Sequence, residues 1–354
     1  MTISYHSGER IQGTSTDFAP IPAISGGWKE VGRTTLGSAS STITVSISSP
    51  KQYYMVLCPI KADASGGTDS NWRFNGDTST NYAWSFYYQG QTNDYGTGSQ
   101  TKIYDNGSGG SRFQFAVMYI ANTSGKRKLT ITKNAINWTS GTTGEVGRKN
   151  IYGKWDNAND AINSIQLYFS DGGAQSGDEV VVLGWDEDDT HTDNFWEELA
   201  SVTATGSTTS FNSGTFTAKK YLWVQGYFTS SGAFTPQIRV GNNTIDSSGN
   251  YVGRRSYDGG SDVLTTQQTE ITLDGVGQST PVFFNGFIVN RASDEKLAIF
   301  NCVKQNTAGA GNAPHRRETV FKWVDTTNQI NIIEFLASTG NIGSTGTMKI
   351  WGHD

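Results

Sequence analysis

The stretch KWDNANDAINSIQLYFS, Lys154 to Ser170, returns as KWVDTTNQINIIEFLAS, Lys322 to Ser338, 168 positions later. Each copy reads as a Trp that follows a loop and precedes a strand, Ile162–Tyr168 in the first. The same offset aligns much of the remaining chain. Trp28 meets Trp196, Glu30 meets Glu198, and Lys51, Tyr53 and Val56 meet Lys219, Tyr221 and Val224. Further on, Asn122 meets Asn290, Lys128, Leu129 and Ile131 meet Lys296, Leu297 and Ile299, and Arg148 meets Arg316. Near the ends, Gly184 and Asp186 meet Gly352 and Asp354. Trp is rare, so two Trp pairs at one offset mark a tandem duplication. The repeats span 27–189 and 195–354, with 190–194 as linker.

Each repeat reads as strands throughout. STITVSIS, QYYMVLCPI, RFQFAVMYI and RKLTITK are β-rich runs, bounded by turn clusters such as DNGSGG and SDGGAQSG. The second half supplies KYLWVQGYF, PVFFNGFIV and KLAIFNCV. Eight or more strands in about 160 residues predict an all-β chain of two tandem antiparallel β-sandwiches of the jelly-roll kind. A period this long is a domain, not a solenoid unit.

Composition agrees. Among 354 residues there are 42 Gly and only 7 Pro, the usage of short strands and tight turns. With 10 Trp, 15 Tyr and 17 Phe, each half can bury a core. Net charge is −5 with both signs dispersed, so no clustered basic face speaks for nucleic acid. No apolar run reaches the ~18–20 residues of a membrane-spanning helix. The N-terminus has no apolar signal-peptide core, which predicts synthesis in a cytoplasm. Cys58 and Cys302 sit at non-equivalent places, and Cys58, on one strand face with Tyr54 and Val56, reads as a buried thiol.

Residues 1–26 lie outside the repeat. They are polar, then Pro-punctuated, and predict an extended arm whose Ile11, Phe18, Ile21 and Ile24 can dock on a neighbour.

Signs of catalysis are scarce. The four histidines form no HExxH pair, and no nucleophile elbow, Walker loop or dinucleotide fingerprint occurs. The carboxylates common to both repeats lie near domain edges, so the chain reads as a non-enzyme with no cofactor. One acidic cluster, WDEDDTHTDN, carries Asp186, Asp188 and Asp189 at the junction. It reads as a solvated linker, with a Ca²⁺ site as the alternative, since Ca²⁺ takes 6–8 oxygen ligands. In NYAWSFYYQG, Tyr82, Trp84, Phe86 and Tyr88 share one strand face. That face reads as core, or as a protein interface or glycan platform, because the second repeat places Gly253 and Arg255 there. A basic pair, Arg148 and Lys149, recurs as Arg316 and Arg317, and predicts loop anchoring through carboxylates.

The N-terminal SGERIQGTSTDF and the repeat signature KW…NQI…I, ending in VVLGWD or KIWGHD, resemble virion structural proteins of tailed viruses. The resemblance implies a capsid-decorating, turret or fibre component located in the virion. It also implies capsid or neighbouring subunits as partners and a homo-oligomer, with three copies favoured. It transfers no site residues. A carbohydrate-binding or host-adhesion module and a glycan-cleaving enzyme are the alternatives on the same fold.

Overall fold

The computed structural model describes residues 27–61, 70–90, 94–105, 112–187, 189, 193–274, 279–305 and 307–354. The expected arm, with Ile11, Phe18, Ile21 and Ile24, lies outside the described residues, as do Asp188 and most of the expected linker.

Among the described residues every regular element is a strand. The first half carries β1 (Lys29–Thr35), β2 (Thr42–Ser46), β3 (Tyr53–Lys61), β4 (Ser70–Phe74), β5 (Tyr82–Tyr88) and β6 (Asp94–Gln100). It continues with β7 (Ile103–Asp105), β8 (Phe113–Ala121), β9 (Lys128–Asn137), β10 (Val146–Trp155), β11 (Ser164–Phe169) and β12 (Glu179–Trp185). The second half begins with β13 (Glu197–Thr203), β14 (Ser210–Asn212), β15 (Tyr221–Phe228), β16 (Pro236–Asn242), β17 (Thr244–Ile245), β18 (Tyr251–Tyr257) and β19 (Val263–Gln268). It ends with β20 (Ile271–Thr272), β21 (Val282–Val289), β22 (Lys296–Lys304), β23 (His315–Trp323), β24 (Ile332–Ala337) and β25 (Thr347–His353).

In the first half a large sheet, β1-β12-β3-β8-β9-β10-β5-β6, faces a small one, β2-β11-β4-β7. The second half repeats the order, as β13-β25-β15-β21-β22-β23-β18-β19 over β14-β24-β16-β20, with the short β17 as an addition on β16. The pair β1-β12-β3-β8 over β2-β11-β4-β7 is the interleaved order of two Greek keys, a jelly roll. The strands β9, β10, β5 and β6 widen its large sheet. Even the irregularities recur: a bulge interrupts β1 between Glu30 and Gly32, and β13 between Glu198 and Ala200.

Two cores fill the two sandwiches. Ile43, Val45, Tyr54, Val56, Trp72 and Leu167 belong to the first, and Leu222, Val224, Ile238, Phe284 and Phe335 to the second. A third buried cluster joins the halves: Met55, Leu57, Phe115, Val117 and Leu183 meet Tyr221, Phe287, Leu297, Ile299 and Val320. The large sheets therefore stack face to face, making four layers, small–large–large–small. This explains why YYMVLCPI is apolar without alternation. Tyr54, Val56, Cys58 and Ile60 enter the first core, while Met55 and Leu57 enter the inter-repeat cluster, so the strand is covered on both faces. Cys58 and Cys302 are both free and buried, and burial pushes each thiol's pKa up.

Candidate functional site

Several polar residues common to both repeats hold each sandwich together. Asn122 donates Nδ2–H to the Lys51 carbonyl at 2.8 Å and accepts the Ile162 N–H at 2.9 Å. Asn290 does the same with the Lys219 carbonyl at 2.9 Å and the Ile330 N–H at 2.7 Å. Each ties the start of one strand to the loop behind the repeated Trp. Trp155 in turn donates its indole N–H to Asp77 at 2.7 Å, and Trp323 to Asp246 at 2.8 Å. Asp77 reaches that place through a tight turn in which Asn75 and Gly76 both have positive φ. The ammoniums of Lys128 and Lys296 are folded onto hairpin carbonyls, at 2.7 Å from Lys126 O and 2.7 Å from Asp294 O. Burial lowers both pKa values, that of Lys296 to about 8.

The acidic junction has a cation of its own. Lys51 lies 3.3 Å from Asp186 and also pairs with Asp189, while Asp186 accepts the Gln52 N–H. The second repeat uses the equivalent clamp, Lys219 to Asp354 at 3.2 Å. Asp186 and Asp189 thus belong to a strand-end clamp. Among the described residues no three His, Cys, Asp or Glu groups converge as a metal cage would require.

The aromatic strand face points into the sandwich. Tyr82 and Phe86 are buried in the first core, with Trp84 and Tyr88 packed against it. Trp84 stacks on Phe86 at 5.6 Å between ring centroids, tilts against Tyr104 and donates to Gln100 at 3.3 Å. Its ring also lies where a Cβ on Gly96 would stand. In the second repeat the half-buried Arg255 follows Gly253 along this strand, and burial together with the neighbouring Arg317 lowers its pKa. Beneath the aromatic strand lies a buried carboxyl, Asp105, which accepts from Asn134 at 2.8 Å and Trp72 at 3.3 Å. Burial raises its pKa to about 6, against the pull of Lys149 at 3.9 Å. Arg317 with Asp274, at 3.4 Å, is the second repeat's version.

The richest constellation lies between the repeats. Arg148, buried, binds Asp262 through Nη2 at 2.7 Å and also Glu318, while Asn150 donates to Glu318 at 2.7 Å. Lys133 bonds Asn301. Lys133 and Asn301, like Asn150 and Glu318, are equivalent positions, so the two sheets cross close to a local two-fold axis. On one side of that crossing the contact is closed. Lys322, fully buried, lies 2.9 Å from Glu295, which also accepts from Asn137 at 2.9 Å. Glu179 sits 2.7 Å from Lys220 and accepts the Tyr221 hydroxyl at 2.5 Å. Burial alone would raise the pKa of Glu179 and Glu318, but Lys220 and Tyr221 hold the first below its ordinary value. Lys133 and Arg148 do so for the second. Arg148 binds carboxylates as expected, but from within β10 and across to the other repeat, not as the anchor of a loop. Arg316 does not: its side chain is exposed.

On the other side of the crossing the same sheet faces are bare. Leu129, Ile131 and Tyr152 are exposed on the first repeat, and Tyr227, Phe283 and Val303 on the second. The latter three line an open cleft of about 440 Å³ with Pro281 and Pro314. These interface residues escaped the sequence reading, which followed what the repeats have in common. Their signal is where the repeats disagree in charge: Glu318 stands for Asn150, and Glu295 for Arg127.

No family model matches the chain, and no curated protein matches it. Among solved structures it is similar to domains LG4-5 of the mouse laminin alpha1 chain. That likeness has 9% identity and a TM-score of 0.22, covering 92% of this chain and 90% of that one. It is also similar to Pseudomonas aeruginosa OpdL, at 8% identity and TM-score 0.14, over 85% and 97% of the two chains. Likenesses this distant say nothing about what the chain does.

Proposed function

We propose that this chain is a non-enzymatic structural protein of a virus particle, a capsid-decorating, turret or fibre component that contacts capsid or neighbouring subunits. The single observation that supports this most is the fusion of two jelly rolls into one four-layer block, held by an apolar cluster and by ion pairs that cross between the repeats, Arg148–Asp262 and Lys220–Glu179. A block of that kind resists bending and local unfolding, since its inner sheets are covered on both faces. The recurring pairs Asn122/Asn290, Trp155/Trp323 and Lys51/Lys219 serve internal clamps, which suits a building element better than a repeated active site. The arm over 1–26 is the anchoring segment in this reading, and the assembled form is a homo-oligomer, with a trimer as the working expectation.

The test is attachment. Full-length chain and a chain lacking residues 2–25 are mixed with particles from the source and sedimented. The full chain pellets with the particles at saturable occupancy, and the truncated chain remains folded but attaches weakly. A full-length chain that stays in the supernatant, and is missing from purified particles by mass spectrometry, overturns the proposal.

A further inference from the structure

The two repeats meet through different ends of their large sheets. In the first repeat Phe115, Ala135 and Arg148 are cross-strand neighbours, and all three are buried. The equivalent row of the second repeat, Phe283, Val303 and Arg316, is exposed. Phe115 and Ala135 share one buried cluster with Phe287, Ile299 and Val320, a cross-strand row of the second repeat. Its equivalent in the first repeat, Tyr119, Ile131 and Tyr152, is again a cross-strand row, and Ile131 and Tyr152 are exposed. One chain therefore carries a covered pair of surfaces and a largely open pair of the same kind, in which Tyr119 alone already packs against the shared cluster.

We propose that the open pair joins copies of this chain, with the Phe283–Val303–Arg316 row of one copy seated on the Tyr119–Ile131–Tyr152 row of the next. Continuity with the existing contact argues for this occupant. Ile131 is one inward-facing position along β9 from Lys133, and Val303 one along β22 from Asn301, so the bare rows begin where the inter-repeat bond ends. Their chemistry argues for it too. Tyr119 and Tyr152 replace Phe287 and Val320, keeping an apolar body but adding a polar tip, as suits a surface that is wet before assembly. Contiguous exposed apolar rows on a folded protein mark association sites. The partner surface already fits once within the chain, whereas any other partner would need its own complementarity. Because the two rows differ, the contact is head-to-tail, and it makes a ring if the rotation closes and a filament if it does not.

This deepens the oligomer part of the proposed function, yet it is tested in solution without particles, so its failure leaves attachment to its own test. Light scattering reads the mass of wild type, Ile131→Glu, Val303→Glu and an equal mixture of the two variants. Concentrations run from about 1 to 100 µM, where a contact of ordinary affinity is populated. Wild type rises with concentration to at least twice the single-chain 38.4 kDa. Each variant alone stays at one chain with an unchanged melting temperature, since both residues are nearly half exposed. The mixture forms pairs and stops there, because each variant retains one working row. Wild type at single-chain mass throughout, or either variant assembling like wild type, overturns the proposal. A mixture that stays at one chain overturns the head-to-tail contact.

Discussion

Phe115 and Phe283 occupy one position in two copies of the same sandwich, on the same strand, facing the same way. The first is 1% exposed and the second 41%. Arg148 and Arg316, their neighbours along the row, repeat the contrast: one is buried between two carboxylates, the other lies in solvent. Residue identity and local fold are constant across the comparison, so neither causes the difference. What differs is whether the other sheet lies on top, and a single sheet-on-sheet contact can cover only one end of each face.

The comparison breaks most directly on the phenylalanines. Phe115→Ala should lower the unfolding free energy by about 3–5 kcal/mol, the range for emptying a packed aromatic site. Phe283→Ala, at an exposed site, should change it by less than about 1 kcal/mol. Denaturant titration of the two variants side by side reads both, and equal losses would mean that the sheets do not stack as described. The arginines come next. Arg148→Ala leaves Asp262 and Glu318 facing an empty site and should cost about 3 kcal/mol, because an unpaired buried charge is the expensive outcome. Arg316→Ala should stay within about 0.5 kcal/mol.

A pH experiment sharpens the contrast between the two sandwich interiors. Asp105 has its pKa raised by burial, from an ordinary 3.8 to about 6 in the folded chain. Between about pH 4 and 6 the folded state therefore binds more protons than the unfolded one, and this group's contribution to stability falls as pH rises. Asp105→Asn cannot titrate. Across that window the stability of wild type relative to the variant should drop by up to about 3 kcal/mol. A constant difference from pH 4 to 7 would show that Asp105 titrates normally.

Smaller and deliberately equal effects are expected where the repeats agree. Asn122→Ala and Asn290→Ala each remove two matching bonds and a third, to the Tyr54 hydroxyl in one and the Ile330 carbonyl in the other, and should each cost about 2 kcal/mol. A clear inequality would show that one hub carries a role the other lacks. The smallest effect belongs to the acidic junction. With Lys51 as the cation of Asp186 and Asp189, a chelator should leave the melting temperature unmoved. A fall restored by calcium would place a metal there, since a ligand of the native state stabilises it.

Much of this molecule could be read from its residues. The constant offset predicts one fold twice, and the strand order repeats accordingly. The pairs Trp155/Trp323, Asn122/Asn290 and Lys51/Lys219 recur because each makes the same internal bond in each copy, a local requirement that any copy must satisfy. The period of two puts Tyr82, Trp84, Phe86 and Tyr88 on one face. It cannot say what that face meets, and Arg255 in the second repeat misleads because an arginine stem can occupy an interior that in the first repeat is aromatic. Of the residues between the repeats, Glu318 and Glu295 are invisible to a search for sameness, since they replace Asn150 and Arg127, while Lys322 matches Lys154 without revealing its partners across the junction.

Sequence by itself determined the fold class and the duplication, because strand period and turn chemistry are local and a constant offset marks the repeat. Only the tertiary structure decided which end of each large sheet is buried, which of two equivalent arginines finds carboxylates, and which apolar rows remain bare. Those outcomes depend on how two rigid faces sit on one another, a contact between positions far apart in the chain. No local period records it, so two nearly identical rows could meet opposite surroundings.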